Sequence, residues 1–389
     1  MAEPGEPETA PRSRAASLGP WALALAGVAG SAIAAAASPD AARGAAAQDW
    51  SPFVLVAGLL LIGLVADDDG LFAAAGHQLA RLAPGGFALF AGAAVVIGLV
   101  TATLNLDTSV AFLTPVLVYT ARSRGGGESA LLYACLLLSN AGSLLLPGSN
   151  LTNLIVLGHL NLTGSAFLAR MWLPSLAGLV ATAAVVAVAE RRSLRSPGRE
   201  PRSPGRPALG LGLAAIIAGT VLVLTLSDPA IPVAVTGAVA AAIHVARGRA
   251  RPGEVVEMLG APLLIGLFGL AVALGTLGRV WSGPAVLLAH LGAIGTAAVA
   301  ALSTVAVNNL PAASLLAART PDHPFSLLIG LNLGPNLFVT GSLAWLLWAR
   351  SARRAGAEPS LTRGSKIGLV AVPLSMAAAL AALALTGSM

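Results

Sequence analysis

The stretch Asn105-Leu106-Asp107-Thr108 interrupts a hydrophobic segment, and so does Asn140-Ala141-Gly142-Ser143 running on to Pro147-Gly148-Ser149-Asn150. The second half of the chain repeats the pattern. There Asn308-Asn309-Leu310-Pro311 is followed by Asn332-Leu333-Gly334-Pro335-Asn336, running on to Thr340-Gly341-Ser342. Inside a bilayer, non-helical backbone is tolerated only where protein buries it or where it lines a cavity. Interrupted hydrophobic segments in corresponding positions of two halves are the best sequence pointer to a transporter's binding site. The pattern predicts an all-α polytopic membrane protein, an inverted-topology repeat with two re-entrant helical hairpins and two broken transmembrane helices.

Composition agrees. The 389 residues are 56% hydrophobic and 10% charged, against about 25% charged in soluble domains. Mean hydropathy is +0.82. The net charge of +6 does not mark a nucleic-acid partner, because the basic residues cluster in short loops between apolar spans. Cys135 is the only cysteine, so no intrachain disulfide can form. No metal-ligand cluster and no Walker-type loop is visible, so no metal or cofactor is expected, and any ATP use would need a separate ATPase subunit. His159, His244 and His290 are isolated in or beside apolar runs and are read as packed residues.

Residues 1–17 are predicted to be a disordered tail, and 18–37 a retained first helix rather than a cleaved signal peptide. The first transmembrane half covers 18–189, with a hairpin at 86–121 and a broken helix at 130–159. A polar cytoplasmic linker, 190–207, leads to the second half, 208–389, with a hairpin at 284–319 and a broken helix at 324–349. Both hairpins are expected to have a short second arm. With the N-terminus in the cytoplasm, the loops at 122–129, 190–207, 247–259 and 350–366 share one side and carry 16 Arg and Lys residues. The opposite faces carry Arg43, Arg279 and Arg319. That asymmetry supports a cytoplasmic N-terminus, and the two hairpins then open to opposite sides. Trp172, Trp281, Trp345 and Trp348 fall near predicted span ends and are assigned to aromatic belts.

Of 17 acidic residues, Asp107 alone is predicted to lie within apolar sequence. Asp67, Asp68 and Asp69 are read as a solvated turn. A charge at bilayer depth costs roughly 2.5–3.5 kcal/mol on insertion scales and marks a functional site by default. Asp107 suits a group that binds and releases a proton. The competing reading is a cap on the following half-helix, since Asp-Thr-Ser also starts helices well. Asn105, Thr108, Asn140, Ser143, Ser149, Asn150, Asn308, Asn309, Asn332, Asn336 and Ser342 supply donors and acceptors without charge. Gly142, Gly334 and Gly341 permit unwound backbone. Each Asn alone could instead satisfy freed backbone groups. Together, and with half-helix N-termini beside them, they predict a cavity for a small hydroxylated or anionic solute.

These motifs resemble the arsenite/antimonite efflux permeases, the arsenical pump membrane proteins of the ion transporter superfamily. The likeness is carried by Asn105–Pro115, Ser139–Asn153, Val307–Pro311 and Gly334–Ala344. Gly148 and Phe338-Val339 depart from the pattern. The resemblance implies that Asp107 is the hairpin-tip acid and that Asn140, Ser149, Asn309 and Asn336 line a substrate cavity. It also implies a homodimer with a static scaffold and a moving transport domain in a bacterial plasma membrane. The expected function is extrusion of arsenite or antimonite in exchange for protons. The alternative is a sodium- or proton-coupled carrier of citrate- or dicarboxylate-type anions with the same fold. An intramembrane enzyme is disfavoured, since neither a paired acid nor a Ser–His unit is visible. A membrane anchor without transport activity would leave the matched interruptions unexplained.

Overall fold

The computed structural model describes residues 14–158, 160, 162–195 and 210–387. The expected tail at 1–13, His159 and the linker from 196 onward lie outside them. Among the described residues all regular structure is helical. The first part contains α1 (Arg14–Ala37), α2 (Pro39–Asp68), α3 (Leu71–Leu82), α4 (Gly86–Thr103), α5 (Leu106–Ser123), α6 (Ser129–Gly142), α7 (Leu151–Leu157), α8 (Gly164–Ala189) and α9 (Arg191–Leu194). The second contains α10 (Leu211–Thr225), α11 (Ala230–Ala246), α12 (Pro252–Leu259), α13 (Ala261–Val280), α14 (Gly283–Ala289), α15 (Ala293–Val307), α16 (Asn309–Leu316), α17 (Pro324–Leu333), α18 (Ala344–Arg354) and α19 (Leu361–Leu385). Helices α2, α4, α8 and α19 and the stretch Pro252–Val280 are long and apolar enough to cross a bilayer. Val95, Leu99, Val180, Val188 and Leu369 stay exposed on three of them, as a lipid-facing surface requires.

Two packing groups arise. A flanking group pairs α1 with α13, α2 with α11 and α13, and α10 with α2 and α11. A hairpin group contains α4 to α8 and α15 to α19. Exchanging α1 with α11, α2 with α13, α3 with α14, and α4–α8 with α15–α19 in order maps the main packing pairs onto one another. Under that exchange the pair α1–α13 becomes α11–α2, α4–α6 becomes α15–α17, α3–α5 becomes α14–α16, α5–α18 becomes α16–α7, and α8–α19 is unchanged. Helices α9, α10 and α12 fall outside the correspondence. At the α8–α19 pair, Arg363 grips the buried Glu190 through two bonds of 2.7 and 2.9 Å.

The flanking crossings depend on glycine. Gly58 and Gly237 face one another where α2 crosses α11, and a Cβ on Gly58 would stand 2.6 Å from the Ala234 Cα. Gly237→Ala is therefore expected to destabilise by about 1–3 kcal/mol through overpacking. Thermal unfolding in detergent checks this, with Gly253→Ala, which meets nothing within 4 Å, as an unaffected control.

Several expectations need correction. Helix α1 begins at Arg14, so residues 14–17, read as tail, belong to it. The second arm of the first hairpin is not short. Capped by Asn105, it starts at Leu106, one residue before Asp107, and runs 18 residues, the same as the first arm. The second hairpin comprises α15 and α16 only, because α14 is a separate short helix before Gly292. Trp345 and Trp348 are not interfacial. Both are fully buried, and their indole N–H groups donate to the Pro335 and Leu132 carbonyls at 2.8 Å. Asp69 is not solvated either: it accepts from the Gly212 amide at 2.7 Å and from Arg249 at 3.0 Å, beside the buried His244.

Candidate functional site

Both predicted breaks are present. Helix α6 ends at Gly142, Leu146 is extended, a single 3-10 turn covers Pro147–Ser149, and α7 starts after the cap Asn150. Helix α17 passes into a 3-10 turn at Gly334–Leu337, Phe338 is extended, and α18 resumes at Ala344. Proline at the start of each 3-10 turn removes a backbone donor and so cannot continue the ladder. Gly142 and Gly334 play matching parts. Each lies where its broken helix crosses the first arm of its own hairpin, Gly142 against the Gly98 Cα (3.4 Å to a built Cβ) and Gly334 against the Ala301 Cα (2.5 Å).

The asparagines of the two breaks bond to one another. The Asn332 Oδ1 accepts from the Ser143 hydroxyl (2.6 Å) and the Asn150 amide (2.8 Å), while its Nδ2 donates to the Asn153 Oδ1 (2.8 Å) and the Leu328 carbonyl (2.8 Å). Asn140 donates to the Asn336 Oδ1 at 2.9 Å, and Asn336 donates to the Leu137 carbonyl at 2.9 Å. Asn153 closes the set on the carbonyls of Ser143 and Leu146. Six side chains predicted to approach a solute, or next to one that was, thus form a buried clamp between the repeats.

Each hairpin tip is tied to the unwound segment of its own repeat. The Ser149 hydroxyl donates to the Ala102 carbonyl at 3.2 Å. In the second repeat the Asn309 amide N–H donates to the Gly341 carbonyl at 2.9 Å, the Asn308 Nδ2 to the Thr340 carbonyl at 3.2 Å, and the Thr340 hydroxyl to the Val305 carbonyl at 2.7 Å. Asn308 holds φ +75 and ψ 152. That region is close to glycine-only territory, and such strain clusters at functional sites.

At the first tip the cap is Asn105, whose Oδ1 accepts from the Thr108 amide at 2.7 Å. Asp107 sits one position inside the helix start, half-buried, and its carboxylate makes neither a hydrogen bond nor an ion pair with the described residues. Around it the Asn105 Nδ2 and the Thr108 hydroxyl are buried without partners. Thr101, Asn140 Oδ1 and Thr152 on the adjoining helix ends, and Ser342 in the second break, share that condition. Buried polar groups are normally paired, so each of these has capacity for a polar atom that the chain does not itself supply. Thr101 and Thr152 escaped the sequence reading. Thr152 lies in the motif Ser149-Asn150-Leu151-Thr152-Asn153 and was within reach; Thr101 lies before the tip with no local signal.

Against known proteins, residues 11–349 match the CitMHS family, described as citrate transporter. The chain belongs to that family. It is a membrane transporter. It is similar to the arsenical pump membrane protein of Escherichia coli (strain K12), at 26% identity over 77% of this chain and 78% of that one. A similar protein of the same description from Yersinia enterocolitica is 25% identical over the same shares. Among solved structures, the YdaH transporter of Alcanivorax borkumensis is similar at 18% identity, with a TM-score of 0.48 over 86% of this chain and 84% of that one.

Proposed function

We propose that the protein extrudes arsenite or antimonite across a bacterial plasma membrane in exchange for protons, with Asp107 as the proton site. The reading rests on one observation: a carboxylate with no partner at the start of α5, beside the unpaired Asn105 amide and Thr108 hydroxyl. Trivalent arsenic near neutral pH is mostly an uncharged trihydroxide. Such a solute offers three hydroxyls to unpaired amides and threonines and requires no cation, and the polar interruptions contain no Arg or Lys. The two relatives described as arsenical pump membrane proteins support the substrate class. One proton moving inward per neutral solute outward gains about 2.3 kcal/mol per 100 mV. At about 1.4 kcal/mol per decade, that sustains roughly a fortyfold gradient.

In this reading the N-terminus is cytoplasmic and the repeats are inserted in opposite senses. The flanking group is the scaffold of a homodimer, and the hairpin group is the moving part. The description of the family as citrate transporter favours a second reading, a sodium- or proton-coupled carrier of citrate-type anions. Inside-out vesicles separate the two. Arsenite is expected to accumulate when the lumen is acidic, and to leak out when a protonophore is added. Citrate accumulation under a sodium gradient, with no arsenite movement, would sink the first reading and install the second.

A further inference from the structure

A second carboxylate lies inside the molecule, and the sequence alone places it at a span end. Asp49 is on α2, buried, with its Oδ1 unpartnered. Its Oδ2 receives a single hydrogen bond, from the Ser314 hydroxyl of α16 at 3.3 Å. The charge of Arg279 on α13 acts on it, yet Arg279 forms no ion pair with Asp49. The guanidinium instead donates to the Gly275 carbonyl (3.1 Å), the Gly44 carbonyl (3.1 Å) and the Gln48 Oε1 (2.5 Å). A buried carboxylate held by one long bond to a neutral hydroxyl is poorly compensated as an anion.

Its position gives that chemistry a consequence. Gln48, next to it on α2, donates to the Ile155 carbonyl of α7 (3.0 Å) and to the Ala317 carbonyl after α16 (3.2 Å). Gln48 and Asp49 therefore hold the flanking group to the ends of one broken helix and one hairpin arm. The approach is close, since a Cβ on Gly278 of α13 would meet the Leu315 carbonyl and the Ala318 Cβ at 2.6 Å. The other charged groups nearby are occupied or exposed. Asp40 and Arg43, earlier on α2, pair with each other at 2.9 Å, and Asp228 before α11 accepts from Ser51 at 3.3 Å. Arg319 donates to the Arg279 carbonyl at 2.9 Å, and α7 carries no charged residue.

We propose that Asp49 is a second proton-binding site, distinct from Asp107, and that its occupancy decides whether α16 stays docked on α2 and α13. Charged, the carboxylate holds the Ser314 hydroxyl and attracts Arg279. With a proton added, it gives up that acceptor strength and the arm is freer to leave. The linkage to arm movement rests on the transport reading above; the proton site does not.

Two measurements keep them apart. Infrared spectra of the purified protein, taken through a pH titration, should contain a protonated-carboxyl band that vanishes in Asp49→Asn and persists in Asp107→Asn. In Ser314→Ala the band should remain and shift in frequency, because the carboxyl keeps its proton and loses its one hydrogen-bond partner. Solute counterflow in vesicles, with no gradient, should be pH-dependent in the wild type, and that dependence should flatten at least severalfold in Asp49→Asn. A band unchanged by Asp49→Asn overturns the proton site. A counterflow pH profile unchanged by Asp49→Asn overturns the linkage. If the wild type moves neither arsenite nor antimonite, the transport reading fails and the infrared result alone decides the site.

Discussion

Asn332→Leu is expected to lower the stability of the folded protein by roughly 2–6 kcal/mol, since at least two buried groups lose their partner and each orphan costs about 1–3 kcal/mol. Asn332 is fully buried and uses both of its side-chain ends, accepting from Ser143 and Asn150 and donating to Asn153 and the Leu328 carbonyl. Leucine matches its volume and offers neither a donor nor an acceptor. Ser143 still reaches the Asn140 carbonyl at 2.7 Å, so the orphans are the Asn153 Oδ1 and most of the Asn150 amide. The loss falls on the one junction where the breaks of both repeats meet, so global unfolding is expected to report it. Thermal melting in detergent, followed by tryptophan fluorescence through the buried Trp345 and Trp348, measures it. A melting point within a degree of wild type, together with weaker solute binding, would show that Asn332 serves the ligand and not the clamp.

The architecture was legible because a bilayer forces it. Backbone that leaves a helix in lipid must be buried or line a cavity, so Asn and Gly in the middle of apolar runs announce both breaks and both tips. Partnership was not legible. Asn140 and Asn336 are 196 positions apart, and Asn332 and Asn150 are 182 apart. From the sequence, an Asn that faces a solute and an Asn that faces another Asn look alike. Asp49 was missed for a related reason. Apolar sequence begins at residue 51, which makes Asp49 look like the edge of a span, whereas α2 begins at Pro39 and covers it with Ser314 of a distant arm. Trp345 and Trp348 misled in the opposite direction: tryptophan near a span end suggests a membrane interface, but α18 turns that face inward against α6.

Asp107→Asn should separate folding from coupling, with the largest functional effect of any change proposed for this protein. Asn105 already supplies the helix cap, so the carboxylate is not needed to start α5. What the substitution removes is a charge in the first helical turn, where the helix dipole favours an anion by about 0.3–1 kcal/mol. The protein is therefore expected to fold, with a small drop in melting temperature. Size and shape are kept, so solute still has room at the tip, and counterflow of arsenite between equal concentrations should continue. An amide takes up no proton in this range, however, so an acidic lumen can no longer drive accumulation. Where the wild type can build roughly a fortyfold arsenite gradient per 100 mV, the variant should equilibrate at a ratio near one. Both quantities come from the same inside-out vesicles, with antimonite as a second solute. If Asp107→Asn still concentrates arsenite under a proton gradient, this carboxylate is not the coupling group. If counterflow is lost as well, its role is in holding solute or in opening the tip, and the proton must ride elsewhere.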